Sequence, residues 1–376
     1  TAEDLLLDLR ALEADESPPI ASRLRQTAAP GSDTRASPRE AGRRLPAAGP
    51  LSPAAYDAFS LGQFNLERRN REGLELAQRY LRRAIELDPT YAPAYAALAE
   101  ACGTAVFFGL RRPADDFPRV RALVDEALAL DDSLAEAHAC LGAVRLFGEW
   151  DWEGAERALR HAIALDPTYA TAHLHLSEAL AVTGRHDEAL ESVERGSELE
   201  RFVPFSAFRP VVVLYYMHAF ERAIDRARAG LEFFTDFWQG HWLLGLSLAG
   251  AGRLDQAVEA CEDAARCSGG VPLTVGALGY AFALAGRRDD AVRLAGELER
   301  RAETGYVCGS AVAMVYIGLD EHDRAFAWLD RAYGERDVQL VHLADYAFFD
   351  PLRADPRFAD LLRKVGLAGS LPARDR

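Results

Sequence analysis

From Ala54 onward the chain alternates two kinds of segment. Mainly apolar stretches such as AHLHLSEALAV and GHWLLGLSLAG come first. Amphipathic stretches such as GRHDEALESV and GRLDQAVEAC follow, with their apolar residues at helical spacing. A break separates the two, often Gly-Arg, as at Gly184-Arg185, Gly252-Arg253 and Gly286-Arg287. Asp187, Asp255, Asp289 and Asp323 then open the second segment, where a carboxylate complements the helix dipole. The pattern predicts pairs of helices joined by tight turns.

The pairs recur at a fixed period. Ala155, Ala189, Ala223, Ala257, Ala291 and Ala325 are each 34 residues apart, and the wording around them repeats: GRHDEALESV, GRLDQAVEAC, GRRDDAVRLA, DEHDRAFAWL. Upstream, EGLELAQRYLRRAIELDPTYA near Ala77 echoes EGAERALRHAIALDPTYA near Ala155. Composition bias alone does not place six alanines at one spacing, so the segment reads as a helical repeat array. A marker alanine is small where the second helix crosses the first. A larger side chain there forces the helices apart, at about 1–3 kcal/mol.

With those residues in hand, the sequence resembles the tetratricopeptide repeat family. That family alternates small residues on its two helices, as at Gly62, Ala99, Gly142, Ser177, Gly245, Gly279 and Ala313 on the first helix and the marker alanines on the second. Terminal prolines of the family type stand at Pro89 and Pro167. Asp132, Arg201, Thr235 and Gly269 take that place elsewhere, Val120 replaces the marker alanine of the second unit, and Val211 replaces a first-helix small residue. The resemblance implies an all-α fold, a right-handed superhelical solenoid of antiparallel helix pairs, with about eight units over residues 54–335.

The flanks differ in composition. Residues 1–16, with Leu5, Leu9 and Leu12, read as a capped amphipathic helix. Residues 17–53 hold seven prolines and six arginines against Asp33 and Glu40, and read as a disordered linker. Residues 336–376 follow the last unit. There Phe349, Leu352, Phe358, Leu361 and Leu362 supply an apolar face suited to capping an open stack. The tail wording resembles the ends of bacterial signalling proteins that carry such repeats behind an effector. TAEDLLLDLRAL resembles the last helix of a bacterial serine/threonine kinase domain. The chain also begins at Thr1, which suggests a fragment or processed chain. The resemblance implies the regulatory part of a larger protein. A kinase catalytic domain upstream is one alternative and a winged-helix regulator another.

Composition narrows function further. Of 376 residues, 58 are acidic and 43 basic, a net charge of −15, and Lys364 is the only lysine. Such a surface argues against nucleic-acid binding. No window has 18 consecutive apolar residues, so no membrane segment is expected. Cys102, Cys140, Cys261, Cys267 and Cys308 lack metal-ligand or CxxC spacing. They suit small core positions in a reducing, cytoplasmic compartment.

No phosphate loop, GxGxxG, HRD, DFG, GxSxG or HExxH motif occurs, so this chain is not expected to be an enzyme and no cofactor or metal is implied. His138, His173 and His241 share one repeat position and are expected to pack with a hydrogen bond. Binding is the better candidate. By register the concave face carries Gln63, Glu100, Glu178, Phe208, Tyr216, Trp242 and Tyr280. Of these, Glu178, Phe208, Tyr216, Trp242 and Tyr280 are the expected contacts to a peptide or protein partner. Packing between irregular units is the competing role for the aromatics. The face lacks the Lys, Arg and Asn that a carboxylate clamp needs, so an apolar or basic partner fits better. The longer break GTAVFFGLRRPADDFP in the second unit is expected to expose Phe107, Phe108, Arg111 and Arg112, as a binding loop or a tolerated insertion.

Overall fold

The computed structural model describes residues 52–368, so the helix expected at 1–16 and nearly all of the linker lie outside the described residues. Among the described residues there are seventeen α-helices and no strand. Sixteen of them form eight successive pairs. These are α1 (Pro53–Glu67) with α2 (Arg71–Leu87), α3 (Ala92–Phe107) with α4 (Pro113–Leu130), α5 (Ala135–Ala143) with α6 (Trp152–Leu165), and α7 (Ala170–Val182) with α8 (His186–Leu199). Then come α9 (Pro204–Tyr216) with α10 (Phe220–Leu231), α11 (Trp238–Gly250) with α12 (Leu254–Ser268), α13 (Pro272–Leu284) with α14 (Arg288–Thr304), and α15 (Gly309–Gly318) with α16 (His322–Gly334). A π-helical segment, Val144–Glu149, prolongs α5. Two short 3-10 segments, Val338–His342 and Ala347–Leu352, precede α17 (Pro356–Val365). The expected all-α superhelical array is the fold that forms.

The repeat markers explain how the pairs pack. Ala77, Ala155, Ala189, Ala223, Ala257, Ala291 and Ala325 have no exposed surface. One turn beyond a marker, the second helix presses onto the small residue of the first. A Cβ on Gly142 would stand 2.4 Å from Leu159, and one on Gly245 would stand 2.4 Å from the Cys261 Sγ. Cα–Cα approach at these crossings therefore depends on the missing side chain. Between paired helices Gly184 and Gly252 take φ of +78° and +74°, the left-handed region that glycine enters without steric cost.

The return to the next first helix is built by aspartates. Asp131 accepts from the Ser133 N–H at 3.0 Å and its hydroxyl at 2.7 Å; Asp166 accepts from Thr168 in the same way at 2.9 and 2.7 Å. Just beyond, the ring N–H of His138, His173 and His241 donates to the carbonyl six residues earlier, at 2.8, 3.0 and 2.7 Å. These histidines are turn fasteners.

The array closes on itself. The Ala114 N–H at the start of α4 donates to the Glu335 carbonyl at the end of α16, 3.2 Å away. The Tyr333 ring lies 5.6 Å from Trp150, the Arg336 guanidinium sits 4.0 Å over the same indole, and the Trp152 indole N–H donates to the Gly366 carbonyl at 3.1 Å. The eighth unit thereby meets the second and third. The long break of the second unit belongs to this junction, which corrects its reading as a loop that exposes both phenylalanines. Phe108 is buried, and Phe107 and Phe108 turn inward against Phe147 and Trp238 at 5.4 and 5.6 Å. Of the four residues expected to be exposed, only Arg111 and Arg112 are. The apolar surface left by eight half-open units favours this inward turn.

Candidate functional site

The first helices line the inner face of the superhelix, and the chain's own C-terminal segment runs along it. Val338, Leu340, Val341, Leu343, Tyr346, Phe348, Phe349 and Leu352 are all buried there. Helix α17 lies against α16, through Arg357 with Asp323 at 2.8 Å and Lys364 with Asp330 at 3.6 Å. The segment before it goes deeper than a cap. It crosses from the eighth unit, where Asp337 accepts the Ser310 N–H at 2.9 Å, to the fourth and fifth.

Three histidine–carboxylate pairs fasten it. His342 Nε2 lies 3.0 Å from the Glu178 carboxylate on α7, His186 Nε2 lies 2.8 Å from Asp345, and His218 Nδ1 lies 4.0 Å from Asp350. Rings do the rest. His342 stacks on Tyr216 with centroids 4.8 Å apart. Tyr346 meets Tyr215, Tyr216 and Trp242 at 5.9, 5.4 and 6.5 Å, and Phe348 meets Tyr280 at 6.2 Å.

At the centre is a buried charge cluster. The Glu178 carboxylate contacts the Arg209 guanidinium from α9, and Tyr216 donates its hydroxyl proton to the same carboxylate at 3.5 Å. Both charged side chains are more than nine-tenths buried. Burial pushes Arg209 below its ordinary value and lowers His342 to about 3, which leaves the imidazole neutral at physiological pH. Burial also holds the Tyr216 phenol well above its usual value. A second pair, Arg69 with Glu100 at 3.2 Å, lies further along the inner face, and both arginines flank the Phe205 ring, at 4.3 and 5.3 Å. No His/Cys/Asp/Glu group suited to a metal occurs among the described residues.

The structure thus brings the expected contact residues together and covers most of them. Glu178, Phe208, Tyr216 and Trp242 are buried, so the reading of an open groove is corrected at these four positions. Tyr280 remains half-buried and Gln63 half-exposed. The physical reason for Tyr216, Trp242 and Glu178 is the tail laid over them. Phe208 has a different one: its ring tip fills the space left by Gly230 and Gly240, where a Cβ would stand 2.6 Å away. Arg209 and His342 had no repeat signal and were not anticipated. The signs of irregularity there were Val211 in place of a small residue and Arg201 in place of the terminal proline.

Similarity to known proteins agrees with this geometry. Tetratricopeptide repeat family models match residues 146–202 and 212–272. No curated protein matches the sequence. Among solved structures, the Cut9–Hcn1 hetero-tetramer of the APC/C aligns at 13% identity with a TM-score of 0.53, over 84% of this chain and 59% of that one. Yeast Tom70 aligns at 13% identity and 0.51, over 86% and 70%. No described helix is long and apolar enough to cross a membrane. Residues 146–202 and 212–272 therefore match tetratricopeptide repeats, and the chain folds as an all-α superhelical array of that type.

Proposed function

We propose that the protein is a protein-interaction scaffold whose inner face takes a short aromatic segment of a partner. One observation carries this reading: residues 338–352 of the chain itself occupy that face through rings and histidine–carboxylate pairs. A partner segment with the same chemistry, apolar rings and one or two acids in place of the basic character expected from the net charge, would reach Tyr280 directly. It would reach Glu178, Phe208, Tyr216 and Trp242 by displacing the tail.

A labelled peptide of residues 338–352 titrated onto the intact protein tests the proposal. Saturable binding is expected, tighter to Tyr346→Ala, whose tail is weakened, and weaker to Trp242→Ala and Tyr280→Ala. Binding that is absent from Tyr346→Ala, or unchanged in the other two while their helicity is intact, rejects the reading.

The resemblance of residues 1–12 to the end of a kinase domain favours a more specific setting. In it the array is the cytoplasmic regulatory part of a larger bacterial signalling protein, with a serine/threonine kinase upstream. An in-frame upstream sequence with HRD and DFG motifs supports this setting, and one without them removes it. A winged-helix effector upstream is the other outcome of the same reading.

A further inference from the structure

Beside the tail, the inner face is not fully packed. Two adjoining cavities, of about 60 and 40 Å³, share walls at Phe107, Phe108, Phe205 and Arg209. At about 10–15 Å³ for each water-sized group, together they accommodate roughly one substituted aromatic ring. The smaller cavity is also lined by Gln239 and Trp242, at the start of α11.

The polar atoms on these walls are unusual. Both amide atoms of Gln239, the Trp242 indole N–H and the Arg209 Nε have no hydrogen-bond partner among the described residues. All three side chains are more than nine-tenths buried. Buried polar groups in folded proteins are almost always paired, so four such atoms on one small cavity point to something that completes them. A polar wall carrying a few placed groups among aromatic rings is also the general make-up of a ligand pocket.

The groups define what that ligand is. Charge is already balanced: Arg209 contacts Glu178, and Arg69 pairs with Glu100. His175, on the larger cavity, is held neutral by burial, its value lowered to about 3. Glu100 lines the larger cavity beside Arg69 and Arg209, and both guanidinium groups already hold carboxylate partners, so neither an anion nor a cation finds a free counter-charge there. Gln239 presents one donor and one acceptor side by side, the complement of a carboxamide. Trp242 and Arg209 add donors for the second lone pair of its carbonyl. The phenylalanine walls suit a flat apolar body.

We propose that this cavity is a binding site for a small neutral carboxamide with an aromatic or apolar body, held by the Gln239 amide and the Trp242 indole N–H. The cavity shares Tyr216 and Trp242 with the proposed partner contacts and Gln339 and Tyr346 with the tail, and it needs no partner to form.

Benzamide is the probe, read by tryptophan fluorescence and by ligand-observed NMR on the intact protein. Saturable binding is expected, at least tenfold tighter than for benzoate, benzylamine or toluene of similar shape. Gln239→Leu is expected to weaken it at least tenfold and Trp242→Phe severalfold. N,N-dimethylbenzamide, which lacks the amide N–H, makes the same comparison on the unaltered protein should Gln239→Leu fold poorly. Absence of saturable benzamide binding overturns the proposal. So does equal affinity for toluene, which would mark a merely apolar cavity, or equal affinity for dimethylbenzamide.

Discussion

The backbone N–H of Ala114 and the carbonyl of Glu335 share a 3.2 Å hydrogen bond, which joins the second helix pair to the eighth. Arg112 lies 3.8 Å from the Glu335 carboxylate, and the Trp150 indole is held between Tyr333 and Arg336 beside it. An aromatic pair and a cation–π contact converge on Trp150, so Trp150→Ala is expected to cost about 1–3 kcal/mol. Urea denaturation measures the loss. Small-angle scattering is expected to show a larger radius of gyration, because the ring of contacts opens. An unchanged radius would show that the tail alone holds the array closed.

The Glu178–Arg209 contact is buried on all sides. Removing one member strands the other charge, so Glu178→Leu alone is expected to cost about 3–5 kcal/mol. The double variant Glu178→Leu with Arg209→Met is expected to recover most of that loss. A double-mutant cycle by chemical denaturation gives the coupling directly, and additive losses would mean that each side chain acts alone.

Two glycines on neighbouring first helices should respond in opposite directions. A Cβ at Gly62 would meet Leu81 at 2.5 Å, whereas one at Gly103, inside α3, meets nothing within 4 Å. Gly62→Val is expected to destabilise by about 1–3 kcal/mol through overpacking. Gly103→Ala is expected to stabilise by about 0.4–1 kcal/mol through helix propensity and the lost freedom of the unfolded chain. Thermal unfolding of the two variants against the parent tests both signs.

Acid should destabilise the protein in part through the tail. Burial lowers His342 to about 3 in the folded protein, below its ordinary value of 6.5, so the unfolded chain binds the extra proton between those limits. Stability from this group is complete above pH 6.5 and falls as pH drops toward 3. Its slope approaches roughly 1 kcal/mol per pH unit near pH 5. His342→Gln is expected to flatten the stability profile between pH 6.5 and 5. His175, lowered in the same way, leaves a residual slope. An identical profile in the variant would show that His342 does not titrate on unfolding.

Local periodicity carries the pairs and little beyond them. Ala155 through Ala325 recur because every crossing repeats one steric condition, and all six prove fully buried. His138, His173 and His241 were legible for the same reason. The covering of Tyr216 by His342, and of Trp242 by Tyr346, was not. Those contacts link positions about a hundred residues apart, and no 34-residue period records them. Trp242 on a first helix reads the same whether solvent, a partner or the chain's own tail faces it. Phe107 and Phe108 misled in a similar way, since an insertion beside a regular repeat looks like a surface loop until the opposite end of the chain arrives to meet it.

A coil spring with its ends hooked together can neither stretch nor be trimmed. Open repeat arrays adjust their pitch to what they hold, and they lose end units one at a time. With Ala114 tied to Glu335 and Trp152 tied to Gly366, units two to eight have no free end to fray and little pitch to give, and only the first unit stands outside the clasp. The closed part should melt as one block. A partner segment that reaches past Tyr280 into its interior must come through a displaced tail or an opened clasp, because the coil cannot widen gradually around it.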